Sequence, residues 1–320
     1  MVSAAKPVLC IVTPGTRRAN NGNWRTADRW AHMLRDRYRV IVQTVWDGRD
    51  CAALIALHAR RSAESIAHFH ERHGAANLAV VLTGTDLYRD LPASAEARHS
   101  LDMAGTIVVL HEEAAHDLAA RWRAKARLII QSATAVRAPR PKAPPLRLVA
   151  VGHLREEKDP RTLFAAVERL PKDLDVRIRH IGAPLDKPLE KLARGLAARE
   201  PRYAYSGALA PGAARRAIAA AHALVHPSAM EGGANVVAEA VTSGTPVIAS
   251  RIAGNVGMLG RGYRGYFPVG DAPALASLIE RAAREPAFLA KLAAACTARK
   301  PLFSPAAEAR AMHVLIKALL

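Results

Sequence analysis

The stretch ALVHPSAMEGGANVVAEAVTSGTPVIAS, residues 223–250, determines the fold class of this chain. It begins with the apolar run ALVHPS (223–228), which predicts a buried strand, and it ends with a second such run, TPVIAS (245–250). Between them, a glycine-containing turn leads into a helix that ends at Gly244. A strand, a helix and a further strand in this order indicate one unit of a parallel α/β sheet.

The same alternation of apolar runs and amphipathic stretches continues along the rest of the chain. Further strands are predicted at 8–12, 39–45, 78–82, 106–110, 146–154, 175–182 and 203–209. Helices are predicted at 26–36, 62–73, around 161–170 and at 189–198. Strands separated by helix-length segments predict parallel sheets that are wound on both faces.

A proline-rich segment interrupts this alternation near the middle of the chain. RAPRPKAPP (137–145) contains four prolines in nine residues, which excludes a helix or a central strand and predicts an interdomain linker. The prediction is therefore two Rossmann-like α/β domains, residues 1–140 and 141–302, that face a central cleft. Ligands of doubly wound folds bind at the carboxyl ends of the strands.

The charge of the chain is strongly positive, with 46 Lys+Arg against 28 Asp+Glu and a formal net charge of +18. This excess has three interpretations: a nucleic-acid partner, arginines spread over solvated helix faces, or an anionic small-molecule substrate. Nucleic-acid binders combine clustered basic residues with aromatic side chains for stacking. Because the basic residues here are dispersed and aromatics make up only 5% of the chain, we expect no nucleic-acid partner.

Cysteine usage and hydropathy indicate a cytoplasmic protein. No apolar run approaches the roughly 20 residues that a membrane span requires, and the first residues predict a strand rather than an export signal. The three cysteines, Cys10, Cys51 and Cys296, are odd in number and have no metal-ligand spacing. We therefore expect a reducing compartment, no contact with the membrane interior, and neither a metal ion nor another cofactor.

The turn before the helix in 223–250 has the composition of an anion site flanked by carboxylates. Gly232 and Gly233 allow the backbone to approach an anion, and the amides that open the helix supply donors. Asn235 and Glu239 are four residues apart and share a helix face, while Glu231 precedes the helix. An ionised carboxylate only accepts hydrogen bonds, so Glu239 suits a vicinal diol such as a ribose. The alternative is an amphipathic helix with a solvated glutamate.

A second candidate loop follows a strand in VGHLREEKDPRTLFAA (151–166). Arg155 and Lys158 lie between the strand and the next helix, where cations would neutralise a diphosphate leaving group. The alternative is a solvated surface cluster of charges. Ser206 and Gly207, in YSGAL, occupy another strand end that would fit the base of a nucleotide.

The segment 219–259, together with VGHLREEKD and YSGAL, resembles the glycogen-synthase-like superfamily of nucleotide-sugar glycosyltransferases, which have the GT-B fold. The shared pattern is a Pro-Ser strand end, Glu-Gly, a second glutamate eight positions on, and Gly-x-Pro-Val. The resemblance implies that Glu239 holds the ribose and that Glu231 lies near the donor sugar. It also implies that the helix spanning 303–320 packs back on the N-terminal domain. The implied diphosphate-binding residues are Arg155, Lys158, Gly232, Gly233, Ala234 and Asn235, with Lys158 and Glu231 as the catalytic pair.

The chain departs from that pattern at His153, where the family usually has an arginine directly after the strand glycine. Arg155 is the nearest residue that would replace it. The Asn-Gly-Val-Asp motif that usually precedes the linker is also absent, and IIQSATAV occupies its place.

The N-terminal motifs NNGNWRTADRW, LTGTDLYRDL and VLHEEA resemble, together with the C-terminal ones, the selenosugar synthases of selenoneine biosynthesis. This resemblance implies transfer of an N-acetylhexosamine from a UDP-sugar, such as UDP-N-acetylglucosamine, to selenophosphate, which forms a carbon–selenium bond. A small trianionic acceptor requires cations rather than a carbohydrate-shaped groove. The residues expected to bind it are Arg17, Arg18, Asn21, Gly22, Asn23, Arg25, Asp86 and His111.

Two other functions remain open from the sequence. The first is an ordinary GT-B glycosyltransferase that uses a UDP-sugar and a hydroxyl acceptor, or an epimerase-like relative on the same fold. The second is a basic nucleic-acid-binding protein, whose affinity would fall steeply with salt.

Overall fold

The computed structural model describes residues 5–16, 22–140 and 144–320. The chain divides into two compact units. The first unit comprises Met1–Gln131 and Pro305–Leu320, and the second unit comprises Ser132–Ser304. Among the described residues, none of the helices is long and apolar enough to cross a membrane.

The first unit is built around a six-stranded parallel sheet in the order β2-β1-β3-β4-β5-β6. Its strands are β1 (Val8–Val12), β2 (Arg39–Gln43), β3 (Ala53–Leu57), β4 (Leu78–Val81), β5 (Thr106–Val109) and β6 (Ala126–Leu128). Its helices are α1 (Gly22–Leu34), α2 (Ala63–His73), α3 (Leu91–Ala93), α4 (Ala95–Met103), α5 (Ala120–Arg123) and α13 (Pro305–Leu319). Apolar clusters bury both faces of this sheet, as expected for continuous apolar strands.

The second unit repeats this architecture with the order β12-β11-β10-β7-β8-β9, again with all neighbours parallel. Its strands are β7 (Leu146–Val151), β8 (Val176–Ile181), β9 (Tyr203–Tyr205), β10 (Ala223–His226), β11 (Val247–Ser250) and β12 (Tyr266–Phe267). Its helices are α6 (Pro160–Arg169), α7 (Lys187–Arg199), α8 (Pro211–Ala220), α9 (Asn235–Thr242), α10 (Ala253–Leu259), α11 (Ala272–Arg284) and α12 (Pro286–Arg299). The prediction of two parallel-sheet, Rossmann-like domains is confirmed.

The described part of the proline-rich segment belongs to the second unit, so the division falls at 131/132 rather than at 140/141. The Arg140 guanidinium donates to the carbonyls of Ala219, Ser243 and Gly244 and to Thr245 Oγ1, over 2.7–2.9 Å. Four hydrogen bonds from one planar group explain why this segment is fixed to the unit instead of forming a free linker.

The last helix, α13, packs on the first unit. The buried Glu308 carboxylate accepts from Trp30 Nε1 at 2.7 Å and from Arg29 Nε at 3.1 Å, both on α1. Met312, Leu315 and other apolar residues of the helix join the cluster on the α1 face of the sheet. The contacts are largely apolar, and the one buried charge is paired with a cation and a neutral donor.

Candidate active site

Lys158 and Glu231 meet at the carboxyl edge of the second sheet. β7 and β10 are neighbouring parallel strands, so the loops that follow them emerge at the same edge. The first loop ends in a short 3₁₀ turn, Glu156–Lys158, and the second carries Glu231. Lys158 Nζ lies 2.5 Å from Glu231 Oε1, with the side chains 19% and 10% exposed. A strong ion pair thus joins the two residues that the sequence predicted as catalytic.

Backbone contacts hold these two loops together. The Ala229 amide donates to the Glu157 carbonyl at 3.0 Å, which ties one loop to the other. Gly254, at the start of α10, packs against the Glu231 backbone, where an added Cβ would lie 2.3 Å from the Glu231 carbonyl oxygen. No side chain fits in that space, so Gly254 allows the close approach that sets the position of Glu231.

Glu231 is ionised in spite of being buried. Burial would raise its pKa, but the Lys158 ammonium and His226 outweigh that effect and lower the pKa well below the usual range. His226 Nε2 lies 3.2 Å from the same oxygen, Oε1, that contacts Lys158. The site therefore presents a buried carboxylate that stays negative at neutral pH.

The second cationic side chain of the loop that carries Lys158 is Arg155, not His153. Arg155 is 43% exposed, and its Nε lies 3.9 Å from Glu157 Oε2. His153 Nδ1 accepts from the Ala183 amide at 3.0 Å. Desolvation and the positive charges of Arg155 and Lys158 lower the His153 pKa, so the ring is neutral at pH 7 and does not supply the charge of the family arginine.

The glycine-rich turn leads directly into α9, as the sequence predicted. Asn235 opens the helix, and the buried Glu239 lies one turn further on. The Ala234 amide contacts Met258 Sδ at 3.2 Å, and the residue is 3% exposed. The sequence predicted that Ala234 binds the diphosphate. This prediction is wrong for the Ala234 amide, because the amide points into the protein.

Ser206 and Gly207 follow β9 at the outer side of the same sheet. Ser206 Oγ accepts from Arg179 Nε at 2.9 Å, and the Gly207 carbonyl accepts from the Gly182 amide at 2.8 Å. Gly207 has a φ of +64°, which favours glycine. These contacts give the turn a defined shape, and its role in binding a base stays a prediction.

In the first unit, only part of the expected acceptor loop can be located. Gly22 begins α1, and Asn23 and Arg25 lie in its first turn. Arg17, Arg18 and Asn21 lie outside the described residues.

His111 is not the cation that the sequence suggested. The residue is fully buried, and its Nε2 lies 2.9 Å from Tyr88 Oη. Burial lowers its pKa to about 4, which leaves the ring neutral at pH 7. A neutral, enclosed imidazole provides no positive charge for an anionic acceptor.

Asp86 is likewise not an acceptor-facing residue. It is fully buried and accepts from the Ala59 amide at 2.7 Å, while His58 Nδ1 lies 3.1 Å from its other oxygen. His58 Nε2 faces Asp90 Oδ2 at 3.6 Å, and Arg60 also donates to that carboxylate. One ligand atom of each of His58, Asp86 and Asp90 lies within 4.8 Å of the other two. Arg60 forms an ion pair with Asp90 and the Ala59 amide donates to Asp86, so both carboxylates already have partners within the protein.

Sequence reasoning missed His226, Gly254 and Met258, which contact or support Glu231 and the turn after it. The available signal for His226 was a histidine that ends an otherwise apolar strand. Gly254 and Met258 gave no comparable signal because their contacts depend on how α10 packs.

Comparison with known proteins agrees with this architecture. Residues 145–285 match the family model described as glycosyl transferases group 1. No curated protein matches the chain in sequence.

Solved structures match over nearly the whole chain. Sucrose-phosphate synthase from Thermosynechococcus elongatus superposes with a TM-score of 0.75 at 18% identity, covering 98% of each chain. Alr3699/HepE from Anabaena, in complex with UDP, gives a TM-score of 0.78 at 15% identity, covering 97% of this chain and 99% of that one. The pneumococcal O-GlcNAc transferase GtfA, in complex with UDP and GlcNAc, gives 0.66 at 18% identity, covering 83% of this chain and 57% of that one. These likenesses show the GT-B fold, and the family match lies within the second unit.

Proposed function

We propose that this chain is a glycosyltransferase and that it takes its sugar from a UDP-sugar bound to the second unit. The observation that carries the proposal is the contact between Lys158 and Glu231 at the strand edge from which the glycine-rich turn also emerges. Two proteins of the same fold support UDP as the nucleotide: HepE in complex with UDP-glucose and GtfA in complex with UDP and GlcNAc.

In this proposal the Lys158 ammonium stabilises the leaving diphosphate. A lysine has three N–H donors, so it can keep one bond to Glu231 while the others meet phosphate oxygens. Arg155 and the backbone around Gly232 and Gly233 add positive potential, without a metal ion. As the bond from the anomeric carbon to oxygen breaks, UDP leaves with the electron pair. The ionised Glu231 then stabilises the positive charge that develops on the sugar.

The remaining donor contacts follow from the position of α9. Glu239 lies one helical turn after Asn235, the first residue of α9. If the diphosphate of the nucleotide contacts the glycine-rich loop, this spacing along the helix places Glu239 near the ribose. Ser206 and Gly207, two strands away from β7 in the sheet, would contact the base.

For the acceptor we propose selenophosphate, which would make the enzyme a selenosugar synthase. The support for it is the resemblance of the N-terminal motifs and the excess of positive charge. A selenium nucleophile is already anionic and needs no strong general base. With His111 neutral, the cations left for it are Arg17, Arg18 and Arg25. The second candidate is a hydroxyl acceptor, which the fold and family match favour because they indicate glycosyltransferases in general.

A donor-binding experiment tests the first part of this proposal. UDP titrated into the protein by calorimetry should bind, and Lys158→Met should weaken UDP affinity at least tenfold, the factor expected for one lost charged contact. Lys172→Met, at an exposed lysine of the same unit, serves as the control and should bind UDP normally. Binding of nucleic acid with no affinity for UDP would refute the donor assignment.

An acceptor assay then separates the two candidates. UDP-N-acetylglucosamine is supplied with selenophosphate, thiophosphate or a sugar alcohol, and the products are identified by mass spectrometry. A product that contains selenium and N-acetylhexosamine supports selenophosphate. If only the hydroxyl compound accepts the sugar, the selenium proposal is wrong while the donor assignment stands.

A further inference from the structure

The Glu231 carboxylate is held from two sides through a single oxygen. Lys158 Nζ lies 2.5 Å from Oε1 and His226 Nε2 lies 3.2 Å from the same atom. Neither contact involves Oε2, which receives no hydrogen bond from the residues that the structure describes. The side chain is 10% exposed, so part of the carboxylate remains accessible.

The two partners of Oε1 differ in rigidity. His226 is the last residue of β10, is 2% exposed, and pairs with Ala249 of β11 in the sheet. Its ring has only two side-chain torsions, whereas Lys158 has a flexible four-carbon stem. A carboxylate offers only lone pairs, so a bond to it requires that His226 Nε2 carry the proton. The imidazole is therefore the fixed partner, and the lysine is the partner that can move.

We propose that His226 is a positioning residue for Glu231, which holds Oε1 so that Oε2 faces the donor sugar. The inference rests on the proposed function, in which Lys158 donates some of its hydrogen bonds to the diphosphate instead of to Glu231. His226 keeps the carboxylate in place during that exchange. Its effect on catalysis is indirect, through the orientation of Glu231.

Substitution at His226 separates positioning from donor binding. His226→Phe removes the ring nitrogen that lies 3.2 Å from Oε1, and we expect kcat for the release of UDP from UDP-N-acetylglucosamine to fall about tenfold, the lower end for a contact with a charged group. KM and UDP affinity should stay within about twofold of the wild type. His226→Gln, which retains an N–H donor, should recover most of kcat. The control is His222→Gln, at the residue directly before the same strand, where Nδ1 accepts from the Arg147 amide.

Equal losses of kcat and of UDP affinity in His226→Phe would refute the positioning role, because the residue would then support the donor site as a whole. An unchanged kcat would also refute it.

Histidine NMR provides a readout that does not depend on activity. In ¹⁵N-histidine-labelled wild-type protein, the His226 ring should show the tautomer with the proton on Nε2. Glu231→Gln should shift that signal and leave the His222 signal in place. An unshifted His226 signal would exclude the contact. If the signal shifts but the protein does not bind UDP, the contact between His226 and Glu231 is present and the proposed function is wrong. The experiment therefore distinguishes failure of the contact from failure of the proposed function.

Discussion

The ion pair between Lys158 and Glu231 makes a quantitative prediction about the stability of the second unit. Coulomb's law at an effective dielectric of about 20 gives roughly 7 kcal/mol for unit charges 2.5 Å apart. Desolvation of both ions offsets much of this energy, so the net value of the pair is far smaller. Removing one partner of a buried pair typically costs about 3–5 kcal/mol. Because His226 still contacts the carboxylate, we expect Lys158→Met to cost about 3 kcal/mol.

Hydrogen exchange measured by mass spectrometry is the appropriate assay, because all four tryptophans lie in the first unit and fluorescence does not report on the second. A loss of about 3 kcal/mol corresponds to roughly a hundredfold faster exchange of the most protected amides. Peptides from β7 and β10 should show this increase, while peptides from β1 and β3 should not. Lys172→Met is the matched control for removing a positive charge from the second unit.

The double variant Lys158→Met/Glu231→Gln decides whether the pair itself is responsible. With both charges removed, no buried carboxylate is left without its ammonium partner, so exchange should return to within about tenfold of the wild type. If the double variant exchanges as fast as Lys158→Met alone, the loss comes from packing of the lysine stem and the electrostatic reasoning fails.

Three further predictions concern other parts of the molecule. The first unit should lose roughly 3 kcal/mol of stability between pH 6.5 and pH 4, because His111 is buried neutral with its pKa lowered to about 4 and the unfolded chain takes up the proton first. Tryptophan-monitored urea unfolding checks this, and His111→Gln should flatten the dependence; an unchanged slope would contradict it. Glu239→Gln should weaken UDP binding about tenfold in calorimetry, whereas Glu231→Gln should mainly lower kcat; equal losses of UDP affinity would contradict the assigned roles. Gly254→Ala should lower both thermal stability and turnover because its Cβ would lie 2.3 Å from the Glu231 carbonyl oxygen, whereas Gly262→Ala, with open space around it, should change neither.

The sheets of both units could be predicted from the sequence because buried parallel strands are continuous apolar runs. β3 was missed, since two of the five residues in Ala53–Leu57 are alanine, which is uncommon in strands. β12 has only two residues and carries no periodicity. The boundary between the two units at 131/132 could not be predicted, because it depends on the hydrogen bonds that the Arg140 guanidinium donates to carbonyls of the second unit.

The candidate site was predictable to the level of loops but not of side-chain contacts. Lys158 and Glu231 both follow strands, and carboxyl ends of neighbouring parallel strands meet at one edge of the sheet. Their direct ion pair and the contact to His226 depend on loop geometry, which the sequence does not encode locally. His111 and Asp86 were misassigned for the same reason. A polar residue after a strand has one sequence signature whether it faces solvent or is enclosed.

The place of α13 in the first unit has a consequence for the order in which the chain folds. The second unit is one continuous segment, Ser132–Ser304, whereas the first needs residues from both halves of the sequence. During synthesis the second unit is therefore complete before the ribosome has made Glu308, the partner of Trp30. Until then the apolar side chains that cluster with α13, among them Leu34 of α1, stay open to water. The segment made first is thus the last to reach its final structure.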